Sequence, residues 1–192
     1  KAEKEKLIKE GKIKRDKNES YIYQGDDKNY YENLPRGWAI VKVAQIISLT
    51  SGTDLKSNEY SPSNIGIPYI TGASNISEDN KIIVNRFTDE KNVNSHLNEI
   101  LLSCKGTIGK IAINKIGNIH VARQFMSITP FIDKNFFLIY LMSLIEKFCA
   151  NAKSIIPGID RNQVLTKTLY LPPLKEQIRI SKKSELLLNY LK

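Results

Sequence analysis

Three short stretches hold the side chains that could do chemistry. Lys105-Gly106-Thr107-Ile108-Gly109-Lys110 sets two lysines and a threonine around two glycines. Its composition suggests a phosphate cradle, but a P-loop needs four residues between its first glycine and Gly-Lys, then Ser or Thr. Only Thr107 and Ile108 intervene, and Ile111 follows Lys110. The plain reading is a tight hairpin whose glycines serve the turn. Arg123-Gln124 interrupts the apolar run Ile119–Thr129. These are side chains that read guanine and adenine edges in a major groove, or else two exposed residues on a half-buried strand. Ser74-Asn75 lies in Thr71–Ile76, a turn of small polar residues suited to close approach by another molecule. Lys56, in the long polar loop Thr50–Asn64, and Arg161 complete the set. Loops of that length are often functional.

The elements that must position these residues can be read from apolar spacing. Ile100-Leu101-Leu102 and Ile111-Ala112-Ile113 predict the two strands of the central hairpin. Trp38, Ile40, Val43, Ile46 and Ile47 predict a strand running into a short helical turn. Ile65–Ile70, Lys81–Phe87, Ile119–Thr129 and Thr168–Leu171 read as further strands, with a short helix expected in Asp89–Asn98. Phe137, Leu141, Leu144, Ile145 and Phe148 recur at helical spacing, predicting a core helix over Phe136–Ala150 capped by Asn135. Asp160 is placed to cap a short helix from Arg161 to Leu165. Pro172-Pro173 ends the last strand, and Pro173 suits the first turn of a helix beginning at Leu174. In that helix Ile180, Leu187 and Leu191 suggest a coiled-coil seam. Leu7 and Ile8 mark a charged helix ending at Gly11. Residues 12–33 read as a tether whose Tyr21, Tyr23, Tyr30 and Tyr31 lie on the domain or stack on bases.

Composition narrows the function classes. The net charge is +9, with eight basic against four acidic residues in 1–17, one against four in 18–33, fifteen against ten in 34–172 and five against two in 173–192. An excess spread this way suits a polyanion partner, since phosphate neutralisation needs clustered Lys and Arg. No stretch of 18 uninterrupted apolar residues predicts a membrane span. The chain starts Lys-Ala-Glu-Lys with no Met and no signal region, as a fragment of a longer chain would. Cys104 and Cys149 sit in apolar contexts and read as reduced core thiols, consistent with cytosol, with a disulfide left open. His96 and His120 have no neighbours at metal-ligand spacing.

Several segments together resemble the specificity (S) subunit of type I restriction-modification enzymes. Leu34-Pro-Arg-Gly-Trp38 is similar to the start of its target recognition domain. Ile67-Pro-Tyr-Ile70 with Asn75-Ile76 resembles that domain's first strand pair. Leu97–Ile113, with Lys105-Gly-Thr-Ile-Gly-Lys110, resembles its internal motif. Leu171-Pro-Pro-Leu-Lys-Glu-Gln-Ile-Arg-Ile180 resembles the boundary with a long spacer helix, and Lys4–Lys14 the end of the central spacer. The resemblance implies an α/β (α+β) fold: a mixed β-sheet target recognition domain with packed helices, flanked by parts of two spacer helices. Its parts would be residues 1–11 as the end of the central spacer, 12–33 as tether, 34–172 as the recognition domain and 173–192 as the start of the C-terminal spacer. The implied chain is the C-terminal recognition domain, or a half-length protein that dimerises through its spacers. Leu7, Ile8, Leu174, Ile180, Leu187 and Leu191 would form the spacer interface.

The function so implied is non-catalytic reading of one half of a split target in double-stranded DNA. Modification (methyltransferase) subunits would dock on the spacers, and a restriction subunit would join in the full cytoplasmic complex. S-adenosylmethionine and Mg-ATP would belong to those partner subunits, with no cofactor or metal on this chain. Lys56, Lys105, Lys110 and Arg161 are the expected phosphate contacts. Ser74, Asn75, Arg123 and Gln124 are the expected base readers, with Thr107 a further donor at the hairpin. A DNA methyltransferase or nuclease is the enzyme alternative. Leu171-Pro-Pro-Leu174 lacks both the polar first and the aromatic last residue of a methyltransferase tetrad. Glu78 and Asp79 lack the further groups of a nuclease cluster. A scaffold that acts only through its helices is the third reading.

Overall fold

Short β-prone runs broken by turn formers give short strands. The computed structural model describes residues 9–10, 34–151 and 158–190, leaving aside the side chains of 90, 149–151 and 187–190. The chain divides into two units. One takes its described residues from Lys1–Ile47, Pro130–Tyr140 and Val164–Lys192; the other consists of Ser48–Thr129 and Leu141–Gln163.

In the first unit β1 (Ala39–Lys42) pairs antiparallel with β10 (Thr168–Leu171), Ala39 opposite Leu171 and Lys42 opposite Thr168. A single 3-10 turn, Val43–Gln45, follows β1, so the predicted strand and helical turn are both present. Helix α1 (Lys134–Asn151) begins in this unit. Its cap is Asp133, not the predicted Asn135: the Phe136 N–H donates to Asp133 Oδ1 at 2.8 Å. A carboxylate at the cap answers both the unpaired amides and the positive end of the helix dipole, which an exposed Asn at the second helical position cannot do. Helix α2 (Arg161–Leu165), which starts in the second unit and ends in the first, is the predicted short helix, and the Asp160 N–H donates to Gln163 Oε1 at 2.8 Å. Helix α3 (Leu174–Tyr190) starts directly after Pro173. Its Gln177 is buried, accepting from the Asp133 N–H at 3.0 Å and donating to the Pro172 carbonyl at 2.8 Å. Ser181, one turn on, is buried as well, while Leu174, Ile178 and Leu186 are exposed. Of the predicted seam, Ile180 is partly buried and Leu174 exposed. Leu7, Ile8 and Leu191, the side chains of Leu187 and Cys149, and the predicted tether 12–33 lie outside the described residues.

The second unit holds two four-stranded sheets, apart from their terminal residues Ile47 and Pro130. One has the order β2-β9-β6-β7, from β2 (Ile47–Ser51), β9 (Phe125–Pro130), β6 (Ile100–Ser103) and β7 (Ile111–Ile113). The predicted hairpin is β6–β7, antiparallel, with Ile100 opposite Ile113. The other has the order β3-β5-β4-β8, from β3 (Tyr60–Ser61), β5 (Phe87–Thr88), β4 (Ile67–Ile70) and β8 (His120–Val121), with β4 and β8 parallel. Two strand predictions need correcting. Lys81–Phe87 is not a strand: it contributes a bridge, Ile76 to Ile82, before the brief β5. Polar Asn80 precedes the segment and Asn85 interrupts it, and Asn75 takes up the Ile83 carbonyl that a neighbour strand would have used. Ile119–Thr129 is two strands in different sheets, parted by a turn at Ala122–Gln124. The apolar core joins both sheets through Ile70, Ile76, Leu101, Ala112, Ile119, Val121 and Phe125. Burial of each large side chain there contributes about 1.5–3 kcal/mol.

Candidate nucleic-acid interface

Strand direction decides which loops meet. β6 ends at Ser103, opposite Phe125, where β9 begins. The Gly52 N–H, just past the end of β2, donates to the Phe125 carbonyl at 2.9 Å. The Ala122 N–H, just past β8, donates to the Ile70 carbonyl at the end of β4, also at 2.9 Å. The loops that start at Gly52, Thr71, Cys104 and Ala122 therefore leave one end of the two sheets together. Lys56, Ser74, Asn75, Lys105, Thr107, Lys110, Arg123 and Gln124 all lie in them.

Gln124 is the centre of this end. A Cβ on Gly72 would lie 2.7 Å from Gln124 Oε1, and one on Gly106 would lie 3.8 Å from the same atom. The two glycines leave a slot that the Gln124 amide fills. Gly106 (φ 70) and Gly109 (φ 87) take the left-handed conformation that closes the hairpin loop. Ser103 fastens the loop: its carbonyl accepts from the Gly109 N–H at 2.9 Å and its Oγ from the Lys110 N–H at 2.8 Å. Lys105 and Thr107 are exposed at its tip. The Cys104 N–H donates to the Gln124 carbonyl at 2.7 Å, tying the loop to the turn. Burial pushes the Cys104 thiol above its ordinary range against the opposing pull of Lys105, so the thiol stays protonated and unreactive.

Other predicted residues have partners within the fold. Asn75 is 2% exposed. Its Oδ1 accepts from the Thr71 and Gly72 amides at 3.1 and 3.2 Å, and its Nδ2 donates to the Ile83 carbonyl at 2.9 Å. It holds the 71–76 turn in place, while its neighbour Ser74 faces solvent. Lys110 Nζ donates to the Ile76 carbonyl at 2.9 Å, and Arg161 Nη1 to the Leu49 carbonyl at 2.5 Å. Lys56 is exposed, with its backbone N–H bound by Glu59 Oε2 at 2.7 Å. Arg123 Nε lies 2.7 Å from Asp54 Oδ2.

Sequence reasoning missed Asp54, which is 69 positions from its partner and has no local spacing to betray it. It missed the aromatic stack Tyr60–Tyr69–His120, with centroids 5.1 and 5.2 Å apart and Arg86 lying 5.3 Å from the Tyr60 ring centre. Burial pushes the Tyr69 hydroxyl up, although the Leu55 N–H it accepts opposes this. It also missed Glu99, at the other end of β6, which accepts from Ser127 Oγ at 2.6 Å and Thr129 Oγ1 at 2.7 Å. No described helix is long and apolar enough to cross a membrane, and the described residues hold no group of three or more potential metal ligands.

The family model for the type I restriction modification DNA specificity domain matches residues 35–189. The chain belongs to this family. Solved structures that share the fold of this specificity domain include the following three. The first comes from a study described as the structural basis of complex assembly and conformational transition of the type I R-M system. It matches with a TM-score of 0.72 at 18% identity, over 98% of this chain and 45% of that one. The HsdS subunit from Thermoanaerobacter tengcongensis matches with a TM-score of 0.71 at 19% identity, over 82% and 39%. The type I S subunit from M. genitalium matches with a TM-score of 0.58 at 16% identity, over 86% and 40%. The specificity domain described above thus spans less than half the length of each of these chains. No curated protein sequence matches it significantly.

Proposed function

We propose that this chain reads one half of a split target in double-stranded DNA, without catalysis of its own, for a type I restriction-modification complex. The observation that carries the reading is the convergence of four loops at one end of the two sheets, with Gln124 slotted between Gly72 and Gly106 and Arg123 beside it. Rigid sheet ends hold base-reading side chains more accurately than free loops do. Lys56, Lys105 and Thr107 surround them as phosphate contacts that set register, and Arg123, Gln124 and Ser74 read base edges. Lys110, Arg161 and Asn75 act chiefly by holding the loops.

Residues 34–172 are the recognition domain, 1–11 and 173–192 belong to spacer helices, and 12–33 tether the two. The exposed Leu174, Ile178 and Leu186 on α3 support a helix face that takes modification subunits, a second spacer helix, or a second copy of the chain. A restriction subunit joins through that assembly, and the complex works in the cytoplasm. The C-terminal recognition position in a longer specificity subunit rests on the resemblance of Lys4–Lys14 to the end of a central spacer.

The test is selection from a randomised duplex pool, with and without modification subunits, at two salt concentrations. Enrichment of a short asymmetric sequence establishes the half-site reader. For about 6–10 phosphate contacts, affinity falls roughly 10³–10⁵-fold between 50 and 200 mM salt. A chain that binds no duplex even with its partners overturns the reading and leaves the helices as the functional part.

A further inference from the structure

Asp54 is held more firmly than a surface carboxylate needs to be. On its N-terminal side, the Gly52 N–H donates to the Phe125 carbonyl at 2.9 Å and the Thr53 N–H to the Val121 carbonyl at 3.0 Å. The Thr53 carbonyl faces the buried His120 Nε2 at 2.7 Å, and the other ring nitrogen of His120 faces the Asn92 carbonyl. On its C-terminal side, the Leu55 N–H donates to Tyr69 Oη at 3.3 Å. Gly52 approaches so closely that a Cβ there would lie 2.1 Å from the Ala122 carbonyl oxygen. The backbone on both sides of Asp54 is thus pinned to buried groups of β4, β8 and β9.

Both carboxylate oxygens are then used on one residue. Oδ1 accepts from the Arg123 backbone N–H at 3.1 Å, and Oδ2 lies 2.7 Å from Arg123 Nε. The Arg123 side chain is nevertheless 70% exposed and that of Asp54 45% exposed. An ion pair this open adds little stability, because water screens it and long side chains lose freedom in making it. What it does fix is the direction of the guanidinium. An arginine held through Nε keeps Nη1 and Nη2 for a second partner, and two parallel donors match O6 and N7 of a guanine.

We propose that Asp54 is a specificity-determining positioning residue: it holds Arg123 by backbone and Nε so that the guanidinium is pre-aimed at one guanine of the DNA half-site. The proposal rests on the half-site reading above. A carboxylate near DNA repels phosphate, so a purely incidental Asp54 would weaken binding to every sequence alike. A positioning Asp54 lowers discrimination at a single base pair when it is removed, and it does so only while Arg123 is present.

The experiment is pool selection by the chain assembled with modification subunits, comparing wild type, Asp54→Asn, Arg123→Ala and the double variant, with thermal melts to confirm folding. Asp54→Asn keeps the shape and one acceptor and removes the charge. A bidentate Arg–guanine contact discriminates by about 5–150-fold. Asp54→Asn is expected to cut the guanine preference at one position by about tenfold, within that range. The double variant is expected to match Arg123→Ala in base preference. Unchanged preference in Asp54→Asn, with all sequences bound more tightly, overturns the positioning role while the half-site reading stands. A wild-type chain that enriches no sequence overturns both. Should Asp54→Asn not fold, Arg123→Lys serves in its place: it keeps the charge and abolishes the Nε grip, and an intact guanine preference there overturns the proposal.

Discussion

At the scale of single residues, the same chemistry serves opposite purposes at the two ends of the second unit. Glu99 is half-buried, and burial alone would raise its carboxyl pKa. Hydrogen bonds from Ser127, Thr129, the His96 N–H and Ser95 outweigh burial and hold the carboxyl below its ordinary value. A depressed folded pKa means stabilisation that is present above the unfolded value and is lost as pH falls through the folded one. Acid unfolding followed by circular dichroism should therefore show a stability loss below about pH 4.5 that Glu99→Gln abolishes. Near neutral pH that variant should be about 1–3 kcal/mol less stable, because one of the two carboxylate oxygens becomes an NH2 donor and the hydroxyl facing it loses its acceptor. At the opposite end, buried Cys104 should react with thiol reagents far more slowly in the native chain than after unfolding, since burial keeps it protonated. The sequence suggested a reduced core thiol at Cys104 from its apolar neighbours. It could not suggest Glu99, whose partners Ser127 and Thr129 come from another strand.

At the scale of elements, two glycines near the candidate interface make a paired prediction. At Gly52 a Cβ would meet the backbone of Ala122, which cannot move without opening the sheet. Gly52→Ala should destabilise the fold by about 1–3 kcal/mol or more, read as a lower denaturation midpoint. At Gly72 the same methyl meets only the end of the Gln124 side chain. Gly72→Ala should leave stability nearly unchanged and shift base preference where Gln124 reads. The lysines divide in the same way. Lys105 lies in the loop after β6 and Lys115 in the turn after β7, which is the other end of the hairpin. Lys105→Ala should lower the salt slope of DNA binding by about 1, whereas Lys115→Ala should leave it unaltered. The hairpin, the strands β1 and β10 and helices α1 to α3 were legible because periodicity is local; that β1 pairs with β10 was not. The split of Ile119–Thr129 between two sheets was not, because Arg123 and Gln124 look like a flaw in one strand until Asp54 and Gly72 are seen to meet them.

At the scale of the whole molecule, the family was legible from the order and spacing of segments that individually say little. The family model matches residues 35–189, which takes in these segments from Pro35 onward and leaves out Lys4–Lys14. The candidate interface was half legible. Residue chemistry picked out Arg123, Gln124, Lys105 and Lys56, which the strand directions bring to one end. It also picked out Asn75, whose amide is used up inside the fold. The difference between them is burial, which depends on contacts far apart in sequence. The central claim is that this end of the sheets reads bases. Its most direct test is the ratio of affinities for the selected half-site and a scrambled duplex, measured at one salt concentration for wild type and for Arg123→Ala/Gln124→Ala. Each bidentate base contact contributes about 1–3 kcal/mol of discrimination, so the ratio should fall at least tenfold while binding to the scrambled duplex stays close to wild type. A ratio equal to that of wild type would place the base-reading surface elsewhere and contradict the account.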